Sequence, residues 1–171
     1  MKIAIVGGGI FGIMSAIKLA KEHDVFLFEK NDDILKAASD VNQCRIHRGY
    51  HYPRSDETTI QTSKSHDSFL EEFSESIISG IDNYYCISKF DSYTKSKEYV
   101  KFCKRHNLEF TKVNLDLVDK NSIDICLKVK EYLFDHEILK KKCWEKLDKS
   151  GVTVYLNTIA DYEIYEKYDF I

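Results

Sequence analysis

Gly7, Gly9 and Gly12 stand in the pattern Gly-x-Gly-x-x-Gly, and Glu29 follows them at the end of the next apolar run, Val25-Phe26-Leu27-Phe28. Residues of these types at this spacing can hold the ADP part of a dinucleotide. Gly7 permits a tight turn, Gly9 lets the backbone approach a pyrophosphate, and Gly12 lets a helix lie close against a strand. The helix that starts at Ile10 and Phe11 turns its free N–H groups towards the phosphates. Glu29 can accept hydrogen bonds from the adenosine ribose, and its charge disfavours a 2′-phosphate, so NADP is not expected. Lys30 either faces the adenosine or is an ordinary solvated lysine. The alternative for the whole pattern is a glycine-rich turn without a ligand.

His47 and His51 are four apart, a spacing that on a helix would suit a metal. Gly49 and Pro53 argue against a helix there, no third ligand is evident, and no metal is expected. The two histidines remain candidates for acid–base or substrate contact, against a plain role in loop hydrogen bonding. Tyr50 and Tyr52 pack the same loop, with hydroxyls free to bond.

The elements that position these residues follow from hydrophobic period. Lys2–Val6 reads as a buried parallel strand, Ile10–Lys21 as a helix with Ile13, Ala16, Ile17 and Ala20 on one face, and residues 25–29 as the next strand. A short helix is expected over Asp32–Ala38, followed by an irregular polar stretch to Ser55. Ser55-Asp56-Glu57 starts a helix that runs to about Ile78, with Ile60, Phe69, Leu70 and Phe73 towards the core. Ile81–Lys89 is a strand and Thr94–His106 an amphipathic helix. Ile123–Phe134 is an exposed-face strand or a bent pair. Glu137–Ser150 is a helix ended by Gly151, and Val152–Leu156 and Ile159–Tyr165 are strands. Tyr168-Asp169-Phe170-Ile171 reads as a turn entering an apolar strand, which suggests a fragment with a missing C-terminal segment.

A length of 171 residues with 43% hydrophobic and 31% charged residues suits a globular chain of one or two lobes. The net charge of −3 gives no electrostatic case for nucleic acid or an anionic membrane. No apolar run approaches a transmembrane span, and Ile3–Val6 is too short for a signal peptide. Five scattered cysteines without a CxxC pair are read as reduced thiols of a cytoplasmic protein.

The run Ala38-Ser39-Asp40-Val41-Asn42-Gln43-Cys44-Arg45-Ile46-His47-Arg48-Gly49-Tyr50-His51-Tyr52-Pro53-Arg54-Ser55 resembles a block of FAD-dependent oxidoreductases of the D-amino-acid oxidase (DAO) superfamily. With the opening unit and Tyr132–Ala160, the resemblance covers nearly the whole chain. It implies an α/β fold, a Rossmann-type FAD/NAD(P)-binding domain, incomplete here, with an inserted α+β antiparallel-sheet substrate domain. Residues 1–80 then begin the FAD-binding domain, 81–134 begin the substrate domain, and 135–171 return to the first. The implied cofactor is FAD, and the implied partner is a small-molecule amine or amino-acid-like substrate oxidised by hydride transfer to the flavin.

On that resemblance Ser39, Asn42 and Gln43 contact the phosphates and the flavin edge, and Arg45 lies near the isoalloxazine. Arg48 binds a substrate carboxylate, and the backbone at Ile159 and Ala160 lies against the adenine. The implied catalytic candidates are Arg45, His47, Arg48 and His51; for each arginine the plainer alternative is an ion pair. Two departures stand out: His23 where relatives close the first helix with glycine, and a chain much shorter than theirs. The chain alone is therefore expected to hold FAD poorly and to be inactive. Rival readings are an NAD-dependent dehydrogenase, which would lack the block at 38–55, and a non-catalytic dinucleotide-binding remnant.

Overall fold

The apolar run after Met1 forms strand β1 (Lys2–Val6) in the computed structural model, with Ile3 and Ala4 buried. The structure describes residues 1–161 and 166–171. Helix α1 (Ile10–Leu19) follows the glycine turn and buries Ile13 and Ala16 completely, one turn apart on one face. Burying a side chain such as Ile13 contributes roughly 1.5–3 kcal/mol. Strand β2 (Asp24–Phe28) pairs parallel to β1, from Lys2 opposite Asp24 to Val6 opposite Phe28. The helix expected over Asp32–Ala38 is instead a series of turns. Leu35 has φ +60°, outside the right-handed helical region. Its N–H donates to the Gly8 carbonyl at 2.9 Å, and its side chain is buried.

The chain divides into two units, Met1–Cys44 with Asp135–Ile171, and Arg45–Phe134. Residues 45–80, which the sequence reading groups with the dinucleotide-binding part, thus pack with 81–134. The second unit begins with β3 (Arg45–Ile46) and α2 (Asp56–Glu72). Ser55 caps α2 by accepting from the Thr58 N–H at 3.3 Å. The helix stops short of the expected Ile78. Ser76 Oγ bonds the Phe73 carbonyl, and residues 74–76 tighten into a 3₁₀ turn. Its buried face is also displaced: Thr59 and His66 are inside, while Ile60 is exposed.

Strands β4 (Ile77–Ile78) and β5 (Asn83–Ser88), helix α3 (Ser96–Arg105) and strands β6 (Phe110–Val113), β7 (Ile123–Val129) and β8 (Tyr132–Phe134) complete the unit. The expected strand over Ile123–Phe134 is a bent pair, β7 and β8, lying in different sheets. The order β3-β8-β4 makes one antiparallel sheet and β5-β7-β6 the other. Tyr50, Tyr99, Phe102, Cys103, Leu108, Leu127 and Val129 form its core. Cys86 and Cys126 sit opposite each other on β5 and β7 and form a disulfide, where five reduced thiols were expected.

The first unit resumes with α4 (His136–Ser150), capped by Asp135 at 2.9 Å and ended by Gly151 at φ +73°. Strand β9 (Thr153–Tyr155) adds parallel to β2 on its outer side. Phe170 bridges Ile3 in parallel, so the last residues run beside β1. The result is a parallel, Rossmann-like sheet. The strand expected over 159–165 falls partly outside the described residues. Among the described residues no helix is long and apolar enough to cross a membrane.

Candidate functional site

In the first unit the glycine turn lies at the C-terminal ends of the parallel strands β1 and β2, where such sheets bind ligands. Gly7 has φ +104°, open to glycine and strained for other residues. A Cβ on Gly12 would fall 2.0 Å from the Gly7 carbonyl oxygen, so α1 can approach the strand only without a side chain there. A Cβ on Gly9 would meet nothing within 4 Å. Gly9 also opens α1 without a side-chain cap, so the first-turn N–H groups have no acceptor from it. The loop leaves room beside those donors, and Phe11 is almost fully exposed there.

Glu29 is buried just beyond β2. Its Oε2 accepts from the Gly8 N–H at 2.6 Å, and its Oε1 accepts from the Asn31 backbone at 2.9 Å and side chain at 2.7 Å. Gly8 and Asn31 are therefore residues that the sequence reading missed. A Cβ on Gly8 would lie 3.0 Å from Glu29 Oε2 and 3.2 Å from its Cβ, so the middle glycine of the three makes room for the acid. Lys30 is exposed and Ile10 half-buried. Asn42 closes the 38–44 turn by donating to the carbonyls of Ala38 and Ser39 and accepting from the Cys44 N–H at 2.6 Å. Gln43 is exposed, and Ser39 and Ala160 are half-buried.

The second unit holds a cluster around Glu131, whose side chain is fully buried. Arg45, placed by the β3–β8 pairing, donates from Nη2 to Oε2 at 2.7 Å. The Arg48 N–H donates to Oε1 at 3.0 Å and the Tyr85 hydroxyl to Oε2 at 3.3 Å. His47 Nδ1 stands 3.8 Å from Oε1. Burial pushes the Glu131 carboxyl pKa up, but His47, the Arg48 N–H and the Arg45 charge outweigh it and hold it below the usual range.

The Arg45 guanidinium also lies over the Tyr85 ring, 4.6 Å from its centroid. His47 and His51 stack at 5.4 Å, with Tyr52 edge-on to both. Arg45, His47 and His51 are thus brought together. Arg48 sends its side chain to Glu109 at 3.5 Å instead. Arg45 Nε and His47 Nδ1 are buried without a hydrogen-bond partner among the described residues. Tyr50 is buried beneath, its hydroxyl donating to the Glu109 carbonyl at 2.6 Å, and burial raises its pKa to about 12. Among the described residues no three His, Cys, Asp or Glu side chains are grouped to hold a metal.

Comparison with known proteins gives a consistent result. Residues 2–160 match the DAO family of FAD-dependent oxidoreductases. The FAD-dependent monooxygenase kojA of Aspergillus flavus is 27% identical over 168 residues, covering 94% of this chain and 39% of the relative. Glycine oxidase from Geobacillus kaustophilus superposes with a TM-score of 0.69 at 15% identity, over 91% of this chain and 46% of that one. L-α-glycerophosphate oxidase from Mycoplasma pneumoniae, solved with FAD bound, gives 0.71 at 18%, over 92% and 44%. The chain spans less than half the length of each of these proteins, and the structural likenesses establish the fold. A match over residues 2–160, on a chain that carries the glycine turn and its buried acid, identifies the protein as a member of the FAD-dependent oxidoreductase family.

Proposed function

We propose that this chain binds the ADP end of FAD and contributes to oxidation of a small amine or amino-acid-like molecule. The observation that carries the reading is Gly9: an uncapped helix start whose missing Cβ leaves open space, one residue from buried Glu29's partner Gly8. These residues fit a pyrophosphate with an adjoining ribose. When bound, FAD supplies the two-electron acceptor for the bond beside an amine nitrogen.

In this proposal the N–H groups of Ile10 and Phe11 bind the pyrophosphate, with Gly7 and Gly12 fixing the turn. Glu29 accepts from the ribose through lone pairs left by Gly8 and Asn31, and Lys30 flanks it. Ser39, Asn42 and Gln43 serve the phosphates and flavin edge, and the Ala160 backbone serves the adenine. Arg45 provides a fixed cation where negative charge develops. His47 and His51 hold or move a proton at their ring nitrogens, and Arg48 takes a substrate carboxylate. The match spans 39% of the Aspergillus relative, so turnover of the whole protein belongs to this proposal.

A second reading, oxygenation, is supported by that relative, a monooxygenase. Labelled dioxygen separates the two: the label enters peroxide in oxidation and the product in oxygenation. The test of the cofactor site is Glu29→Gln. Losing a charged acceptor should weaken FAD binding about tenfold. Flavin fluorescence quenching measures this, and an unchanged dissociation constant would remove Glu29 from the site.

A further inference from the structure

The Arg45–Phe134 unit carries a cavity of about 610 Å³ that belongs neither to the glycine turn nor to the Glu131 cluster. That volume lies within the roughly 300–1,000 Å³ of small-molecule sites. The cavity lies where the first turn of α3 meets the end of β6 and the start of β7. Part of its lining is apolar, from half-buried Val113, Ile123 and Ile125. Three cations from three different segments also line it: Lys97 on α3, Lys112 on β6 and Lys120 on the connection to β7. Lys120 pairs with Asp116 at 2.9 Å, whereas Lys97 and Lys112 make no ion pair with a described residue. Asp124 is the one acid among the described lining residues, so the site stays net positive. Ser96 is among the lining residues, and its Oγ is buried without a hydrogen-bond partner among the described residues. Buried hydroxyls are normally satisfied, and an incoming acceptor would satisfy this one.

We propose that this cavity binds a small organic phosphate. The dianion meets the lysines and Ser96, and the apolar body rests on Val113, Ile123 and Ile125. Lysine acts as a point charge suited to phosphate, and it lacks the planar fork that arginine offers a carboxylate. Because the lysines outnumber Asp124, the net attraction grows with ligand charge and favours a dianion over a monoanion. The site is separate from the FAD reading and does not rest on it.

Calorimetric titration of the full 171-residue chain with phenyl phosphate and with inorganic phosphate tests the proposal. Phenyl phosphate should bind once per chain and more tightly than inorganic phosphate. It should weaken at about pH 5, where the phosphate loses its second charge. The double variant Lys97→Ala/Lys112→Ala should weaken binding about tenfold. Both lysines are exposed, so its thermal unfolding should match wild type. Gly9→Ala should bind phenyl phosphate as wild type does. No binding, an unchanged affinity in the double variant, equal affinity for the two phosphates, or loss of binding in Gly9→Ala would each overturn it.

Discussion

Glu131→Gln should lower the unfolding free energy by about 3 kcal/mol, because it leaves the Arg45 guanidinium without its buried counter-charge. The Arg45 side chain is only 15% exposed and that of Glu131 0%, so water cannot take over the lost contact. The Gln amide would also present N–H groups where Arg45, the Arg48 N–H and the Tyr85 hydroxyl all need an acceptor. Urea unfolding measures the change. Arg45→Met combined with Glu131→Gln should recover part of the loss, since no buried charge is then left unpaired. Additive losses in the double variant would contradict the pairing.

The pH dependence has a definite sign. The folded Glu131 carboxyl titrates below the unfolded glutamate value of ~4.3, so its contribution is present above that unfolded value. It is lost as pH falls through the lower folded value. The gap between wild type and Glu131→Gln should therefore close on acidification and stay constant at neutral pH.

Gly12→Ala and Gly9→Ala should behave oppositely, although both add one methyl to the same turn. At Gly12 the new Cβ would lie 2.0 Å from the Gly7 carbonyl oxygen, and backbone cannot yield as a flexible side chain can. Destabilisation of ~3 kcal/mol or more is expected, with FAD binding lost as the turn deforms. At Gly9 the methyl meets nothing within 4 Å, and φ is −76°, a value alanine accepts. Stability should change by no more than about 1 kcal/mol. FAD binding should nonetheless fall roughly ten- to a hundredfold, because the methyl occupies the approach of the pyrophosphate. Thermal unfolding and flavin titration of both variants separate fold from ligand. A Gly9→Ala protein with wild-type affinity would place the phosphate elsewhere.

The β1-α1-β2 unit was legible in the sequence because its signals are local: a continuous apolar strand, glycines at fixed spacing and a helical stripe. The pairing of β9 with β2 and the bridge from Phe170 to Ile3 carry no such local signal. Long-range pairing was much less visible. Glu131 is one acid between two apolar runs, and its partner Arg45 is 86 residues away, so nothing nearby announces the cluster. Cys86 and Cys126, 40 residues apart, meet only once the β5–β7 register is set. Strands β3 and β4 have two residues each, too short for any period, yet their pairing with β8 draws residues 45–80 into the second unit. Leu35 shows the same limit locally. Its helical surroundings in sequence are overridden by one left-handed residue bonded to the glycine turn.

The most direct measurement is the visible absorbance and fluorescence of FAD titrated with the purified chain. A saturable change in flavin fluorescence is expected as the chain takes up the ADP end of the cofactor. Flavin fluorescence that stays at its free-FAD value at every protein concentration would contradict binding at the glycine turn.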